Sequence, residues 1–285
     1  MKTRLRSPGG KEVIIGDNLP TVLIGERINP FGKGLIKEAL KSGAMEPICE
    51  EALKQVEAGA DILNVSVNAF GIDESVVLPR VVSEIIKTVD VPLCLESRNP
   101  AALEKTLKLG CGKPIISSAT GEDQVLEGML PLVRKYNTAV IALASDSSSI
   151  PKDPLERVAI VRHIIERTEK IEIPLDDILV DCIAESSAVN DRAAIVTLET
   201  MGIIKREMGV NLVLGASNVS FGLPNRTVVN AIFLPLTIQA GLTCAIVDAA
   251  KMKPYIMATD LLLGRDQKAR HYTAYCRKSK SVTPH

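Results

Sequence analysis

The chain has 285 residues, and its 34 Lys+Arg balance 34 Asp+Glu, so the formal charge is zero. That balance argues against a polyanion-binding surface, which needs a basic stripe, and 3% aromatics without Trp leave no stacking platform for single-stranded nucleic acid. A chain that is 46% hydrophobic yet poor in aromatics builds its core from Val, Ile, Leu and Ala, as in parallel sheets wrapped by helices.

The opening MKTRLRSPGGKE has no apolar h-region, so no signal peptide is expected. Residues 1–20 read as an extension in which VII–GDNLP–TVL forms a hairpin at the bottom of a barrel. Eight β-like runs follow: 22–27 (VLIGER), 60–67 (ADILNVSV), 92–97 (PLCLES), 114–120 (PIISSAT), 139–146 (AVIALASD), 178–183 (ILVDCI), 212–218 (LVLGASN) and 244–250 (CAIVDAA). Nearly all are too apolar for a sheet with one wet face. Between them lie helical stretches. Residues 46–58 carry Ile48, Ala52 and Val56 at helical spacing, and 74–89 repeat Val77, Val81, Ile85 and Val89 every four residues. Asn99–Pro100 opens another helix with Pro in its first turn. Segments 153–170 and 190–208 are the longest, and 227–240 is almost wholly apolar, so it packs against neighbours or a partner. Strand–helix alternation over eight units predicts the α/β class and a single (β/α)8 TIM barrel spanning 21–271. No linker marks a second domain, and 272–285 form a basic tail expected to fray. No apolar run reaches the roughly 18 residues of a membrane span. The six cysteines form no CxxC pair and have no His at zinc-finger spacing, which fits a reducing cytoplasm.

In such a barrel, binding and catalytic groups collect at the C-terminal strand ends. Here those ends carry Glu26, Arg27 and Asn29, then Asn64 and Ser66, Glu96 and Ser97, Ser117 and Ser118, Ser145 and Asp146, Asp181, Ser217 and Asn218, and Asp248. Lys and aromatics are absent from the ring. It suits a neutral or cationic ligand rich in N–H donors, because a carboxylate accepts two at once and Asn offers both roles. A pterin ring, with an amide N–H beside an amino group, is such a ligand. Neither GxGxxG nor GxxxxGK[ST] occurs, which disfavours a phosphorylated substrate.

Asp181 follows three apolar strand residues, where an idle carboxylate is costly, so function outweighs turn capping. Asn64 lies inside an apolar run and needs partners. Glu96 either bonds the next helix start or lines the mouth. Asn218 precedes a turn, where Asn is common, and Asp248 suits a pair with Arg27. No strand end carries His, so neither His acid–base catalysis nor a metal site is expected.

The chain resembles the methyltetrahydrofolate:corrinoid methyltransferases, a branch of the pterin-binding barrels that also includes dihydropteroate synthase. The resemblance rests on IGERINPFGKG (24–34), GADILNV (59–65), PLCLES (92–97), SIPKD (149–153), LVDCI (179–183), GASNVSFGLPNR (215–226) and IVDAA (246–250). It implies a homodimeric barrel with the pterin at the C-terminal mouth. The family's third-strand Asp falls on Glu96, its fourth-strand Asn on Ser117, its sixth-strand Asp on Asp181, its seventh-strand Asn on Asn218 and the motif's arginine on Arg226. Two of these depart from the pattern: Glu for Asp lengthens the arm by roughly 1.5 Å, and Ser for Asn shortens the reach and loses an amide. The implied reaction moves a methyl group between N5 of methyltetrahydrofolate and the cobalt of a corrinoid (cobalamin). Asn218 would bond N5 and Asp181 the pterin amide edge, while Glu96, Ser117 and Asn64 orient the ring. The chain has no DxHxxG corrinoid loop, so a separate corrinoid protein is the implied partner. Two alternatives are a dihydropteroate synthase-like enzyme, whose basic diphosphate motifs are missing here, and a non-catalytic folate-binding subunit.

Overall fold

The computed structural model describes residues 1–31, 34–146 and 150–280. In chain order, β1 (Lys2–Arg6) and β2 (Glu12–Gly16) form an antiparallel hairpin. The strands β3 (Val22–Ile28), β4 (Ile62–Ser66), β5 (Leu93–Glu96), β6 (Ile115–Ala119), β7 (Ala139–Leu143), β8 (Ile178–Asp181), β9 (Asn211–Gly215) and β10 (Leu242–Val247) close into a parallel barrel, with β10 beside both β9 and β3. Around it run α1 (Gly34–Ser42), α2 (Glu46–Glu57), α3 (Glu74–Thr88), α4 (Pro100–Leu107), α5 (Asp123–Tyr136), α6 (Pro154–Glu169), α7 (Ala193–Met208), α8 (Arg226–Gln239) and α9 (Ala249–Leu262), followed by α10 (Arg270–Lys280). The fold is a (β/α)8 TIM barrel.

Local chemistry sets the alternation. Asp73, Asn99 and Asp153 each accept backbone N–H bonds at the start of α3, α4 and α6, and Pro100 and Pro154 sit in the first turns. These caps satisfy donors that the helix itself leaves open.

Side chains alternate along a strand, so each barrel strand feeds two cores. One face packs Leu63, Leu95, Ile116, Val140, Val180 and Leu212 against the helices. The other puts Ile24, Ile62, Cys94, Ile115, Ile141, Leu179, Val213 and Cys244 inside the barrel, where Leu5 and Ile15 of the hairpin join them. Asn211 ties that hairpin to the barrel, donating to Thr3 Oγ1 at 3.0 Å and to the Ile15 carbonyl at 3.2 Å.

Two expectations at the termini are corrected. The hairpin turns at residues 7–11, not at GDNLP: Val13–Ile15 pair with Thr3–Leu5, and residues 21–23 run into β3 instead. Gly10, at φ 94°, supplies the left-handed turn residue, and Asp61 claims the Leu23 N–H at 2.9 Å. The tail is not irregular from residue 272, because Arg270–Lys280 is helical. Asp266 starts it, accepting from His271 N at 3.1 Å and Tyr272 N at 2.9 Å. Residues 281–285, and Ser149 of the SIPKD motif, lie outside the described residues. Among the described residues no helix is long and apolar enough to cross a membrane, and no cluster of His, Cys, Asp and Glu has the makings of a metal site.

Candidate active site

The same alternation that fills the barrel builds the site. Two residues beyond Ile24, Ile62, Cys94, Ile115, Leu179, Val213 and Cys244 stand Glu26, Asn64, Glu96, Ser117, Asp181, Gly215 and Ile246. All seven line one cavity of about 550 Å³ at the C-terminal mouth. On β3, β4, β5, β6 and β8 the inner face thus changes from apolar to polar within one step of the pleat, while β9 and β10 present Gly215 and Ile246.

Asn64, Glu96, Ser117, Asp181, Asn218 and Arg226 all line this cavity. Asn64 is 4% exposed, and its Nδ2 donates to Glu96 Oε2 at 2.7 Å. Its Oδ1 is buried with no partner, so the amide is held by its Nδ2 bond to Glu96 alone. Glu96 therefore does not serve the next helix start. Asn99 caps α4, with Ser97 Oγ bonding the Asn99 N–H at 3.0 Å. Register explains the choice: Ser66 pairs with Glu96 across β4 and β5, which sets Asn64 one pleat below the carboxylate.

Asp181 is 9% exposed at the end of β8, and its Oδ1 accepts from Ile183 N at 2.7 Å. Burial pushes its pKa up to about 6, although N–H bonds from Ile183 and Gly215 and the Arg157 charge pull the other way. Arg157, fully buried, holds the loop behind it. Its Nη1 donates to the carbonyls of Cys182 at 2.7 Å and Ile183 at 2.8 Å, and its Nη2 to Glu185 at 2.8 Å. That grip keeps Ile183 at φ 63°, a conformation costing a β-branched residue on the order of 1–3 kcal/mol.

Asn218 is exposed on the short helical turn Ala216–Ser220 after β9. A Cβ at Gly215 would lie 3.2 Å from its Nδ2, so glycine keeps room for the carboxamide. Arg226 braces this turn, donating from Nη2 to the Ser217 carbonyl at 2.8 Å and from Nε to Ser220 Oγ at 3.0 Å. Arg27 bonds Glu51 and meets Asp248 at 3.3 Å.

Glu26, Ser217, Lys251, Phe31 and Phe221 also line the cavity. The first two belong to the polar strand ends, and for Glu26 the signal is its place two residues beyond Ile24. The ring of strand ends lacks Lys and aromatics, but the first turn of α9 adds Lys251 and the loops add both phenylalanines.

The Pterin binding enzyme model matches residues 25–248, most of the chain and nearly all of the barrel. The chain belongs to the pterin-binding enzyme family. Among relatives of this pterin-binding enzyme, a methylcorrinoid:tetrahydrofolate methyltransferase of Eubacterium limosum is 29% identical over 265 residues, covering 91% of this chain and 97% of that protein. A methionine synthase of Mycobacterium tuberculosis is 30% identical over 246 residues, covering 82% of this chain but 21% of that larger protein. A dihydropteroate synthase from Coxiella burnetii, solved with pteroic acid, shares the pterin-binding enzyme's fold with a TM-score of 0.68 at 17% identity, covering 91% of this chain and 98% of that one.

Proposed function

We propose that this pterin-binding enzyme is a methyltransferase that moves a methyl group between N5 of methyltetrahydrofolate and the cobalt of a corrinoid protein. One observation carries the reading. Two carboxylates and a carboxamide line one cavity, on Glu96, Asp181 and Asn64, in a chain whose Eubacterium limosum relative, named for that reaction, matches it nearly end to end. The pterin's N–H and amino donors match Asp181, and Glu96, held by Asn64 Nδ2 at 2.7 Å, orients the ring. Asn218 bonds N5 at the rim.

The chain needs no nucleophile of its own. The cobalt supplies the electron pair for the Co–CH3 bond, the N5–CH3 pair stays on nitrogen, and N5 gains a proton. The reverse transfer releases that proton. Phe31 and Phe221, 76% and 67% exposed on the cavity rim, give the corrinoid protein an apolar seat above the mouth.

The test is calorimetric titration with methyltetrahydrofolate and tetrahydrofolate, then methyl transfer to reduced cobalamin followed by its absorption spectrum. Binding and transfer are expected. Binding without transfer would leave a folate-binding subunit, and binding of neither folate would end the pterin reading.

We infer further that the enzyme is a cytoplasmic homodimer. Its cysteines are unpaired, with Cys94, Cys111, Cys182 and Cys244 buried, as in a reducing compartment. On α8, Val228, Ile232 and Leu236 are 50%, 62% and 50% exposed at four-residue spacing, an apolar stripe along one helix face. An Ile232→Glu variant is expected to run as a monomer in light scattering where the unaltered chain is a dimer. A monomeric unaltered chain would overturn the dimer.

A further inference from the structure

The N5 proton has no carrier among the residues assigned above. Asp181 is committed to the pterin edge, Glu96 to Asn64, and a carboxamide is no acid. Glu26 is unused. It follows Ile24 up the inner face of β3 into the cavity wall. Its Oε1 accepts from Ser217 Oγ at 2.9 Å, and Ser217 directly precedes Asn218 on the same turn. The carboxyl is therefore anchored to the element that carries the N5 ligand.

Its surroundings differ from those of a structural carboxylate. The adjacent Arg27 is taken by Glu51 and Asp248, and among the described residues Glu26 forms no ion pair. Asp248 and Lys251 face it from around the start of α9, and Arg226 from the start of α8. Burial raises its pKa and Asp248 raises it further, while the Ser217 bond, Arg226 and Lys251 hold it back. A half-buried carboxyl with a neutral hydroxyl as its hydrogen-bond partner is costly to keep for packing alone, and it is suited to change protonation in use.

Building on the folate reading, we propose that Glu26 carries the N5 proton. As the N5–CH3 bond breaks, the Glu26 carboxyl gives its proton to N5, across no more than one water, and solvent reprotonates it after product release. In the reverse transfer its carboxylate takes the N5 proton as the methyl group leaves cobalt for nitrogen, which keeps charge and atoms balanced.

Glu26→Gln tests this, because the carboxamide oxygen keeps the Ser217 bond but cannot exchange a proton. Folate affinity is expected to stay within about threefold of the unaltered enzyme while methyl transfer to or from cobalamin falls about 100-fold. The limb of the pH–rate profile that Glu26 contributes should vanish in Glu26→Gln and persist, at a lower rate, in Glu26→Asp. An unchanged rate or pH limb in Glu26→Gln overturns the proposal alone. If Glu26→Gln does not fold, a missing limb in Glu26→Asp overturns it. An unaltered protein that binds no folate overturns the methyltransferase reading, and this one with it.

Discussion

An Asp181→Asn variant is expected to melt several degrees above the unaltered protein at pH 7.5 and to have lost folate binding. The two effects share one cause. Burial holds the Asp181 pKa at about 6, against an ordinary value of 3.8, so the ligand-free fold disfavours the ionised form. Well below the ordinary value the carboxyl is neutral in folded and unfolded chains alike, and nothing is lost. As pH rises from the ordinary pKa towards the folded one, the unfolded chain ionises freely while the folded one keeps its proton, at a cost to stability. Above pH 6 that cost is fully present, on the order of 3 kcal/mol for a two-unit shift. Asn keeps an acceptor for the Ile183 N–H, bonded at 2.7 Å, and removes the charge. The variant's excess in melting temperature should therefore be small at pH 4 and widen through pH 6, at roughly 2–4 °C per kcal/mol.

Folate inverts the preference, because pterin N–H donors favour the carboxylate. Binding to the unaltered enzyme should strengthen as pH rises towards 6 and then level. In Asp181→Asn it should weaken by about 100-fold or more, roughly 3 kcal/mol, since the carboxamide turns an N–H towards ring donors. Thermal melts from pH 4 to 8 and calorimetry check both arms. A variant that melts below the unaltered protein at pH 7.5, or binds folate equally well, contradicts the assignment.

An Asn218→Ala variant is expected to lose methyl transfer by about 100- to 1,000-fold while folate affinity falls less than tenfold. A hydrogen bond placed where charge changes as the C–N bond breaks strengthens on the way to the transition state, and removing one such donor costs this much in other enzymes. The fold should tolerate the change, because Asn218 is exposed and the turn is braced by Arg226 through the Ser217 carbonyl and Ser220 Oγ. Its stability should stay within about 0.5 kcal/mol of the unaltered enzyme. Single-turnover transfer beside equilibrium binding separates the two losses. Equal losses would mean that Asn218 holds the ring but does nothing for N5.

Much of the site was legible because a strand's period of two needs no partner to be read. Once ILVD and VLIGE are strands with apolar residues inside, Asp181 and Glu26 must follow Leu179 and Ile24 onto the inner face. Asn64 in ILNV obeys the same rule. Glu96 was legible only to its face. Its bond to Asn64 depends on how two strands 32 residues apart align, and that register is set by closing the barrel. Arg157 reads as one more polar residue in a helix, yet it is fully buried beneath Asp181 with the loop carbonyls as partners. Phe31, Phe221 and Lys251 reach the mouth from loops and a helix start, where no period fixes side-chain direction.

Strand order, helix starts and the polar tips of the inner strand faces were written into the sequence, because propensity, capping and alternation act between residues a few positions apart. The pairing of Asn64 with Glu96, the grip of Arg157 and the raised pKa of Asp181 were decided only by the closed barrel, because register and burial exist only once distant segments have come together.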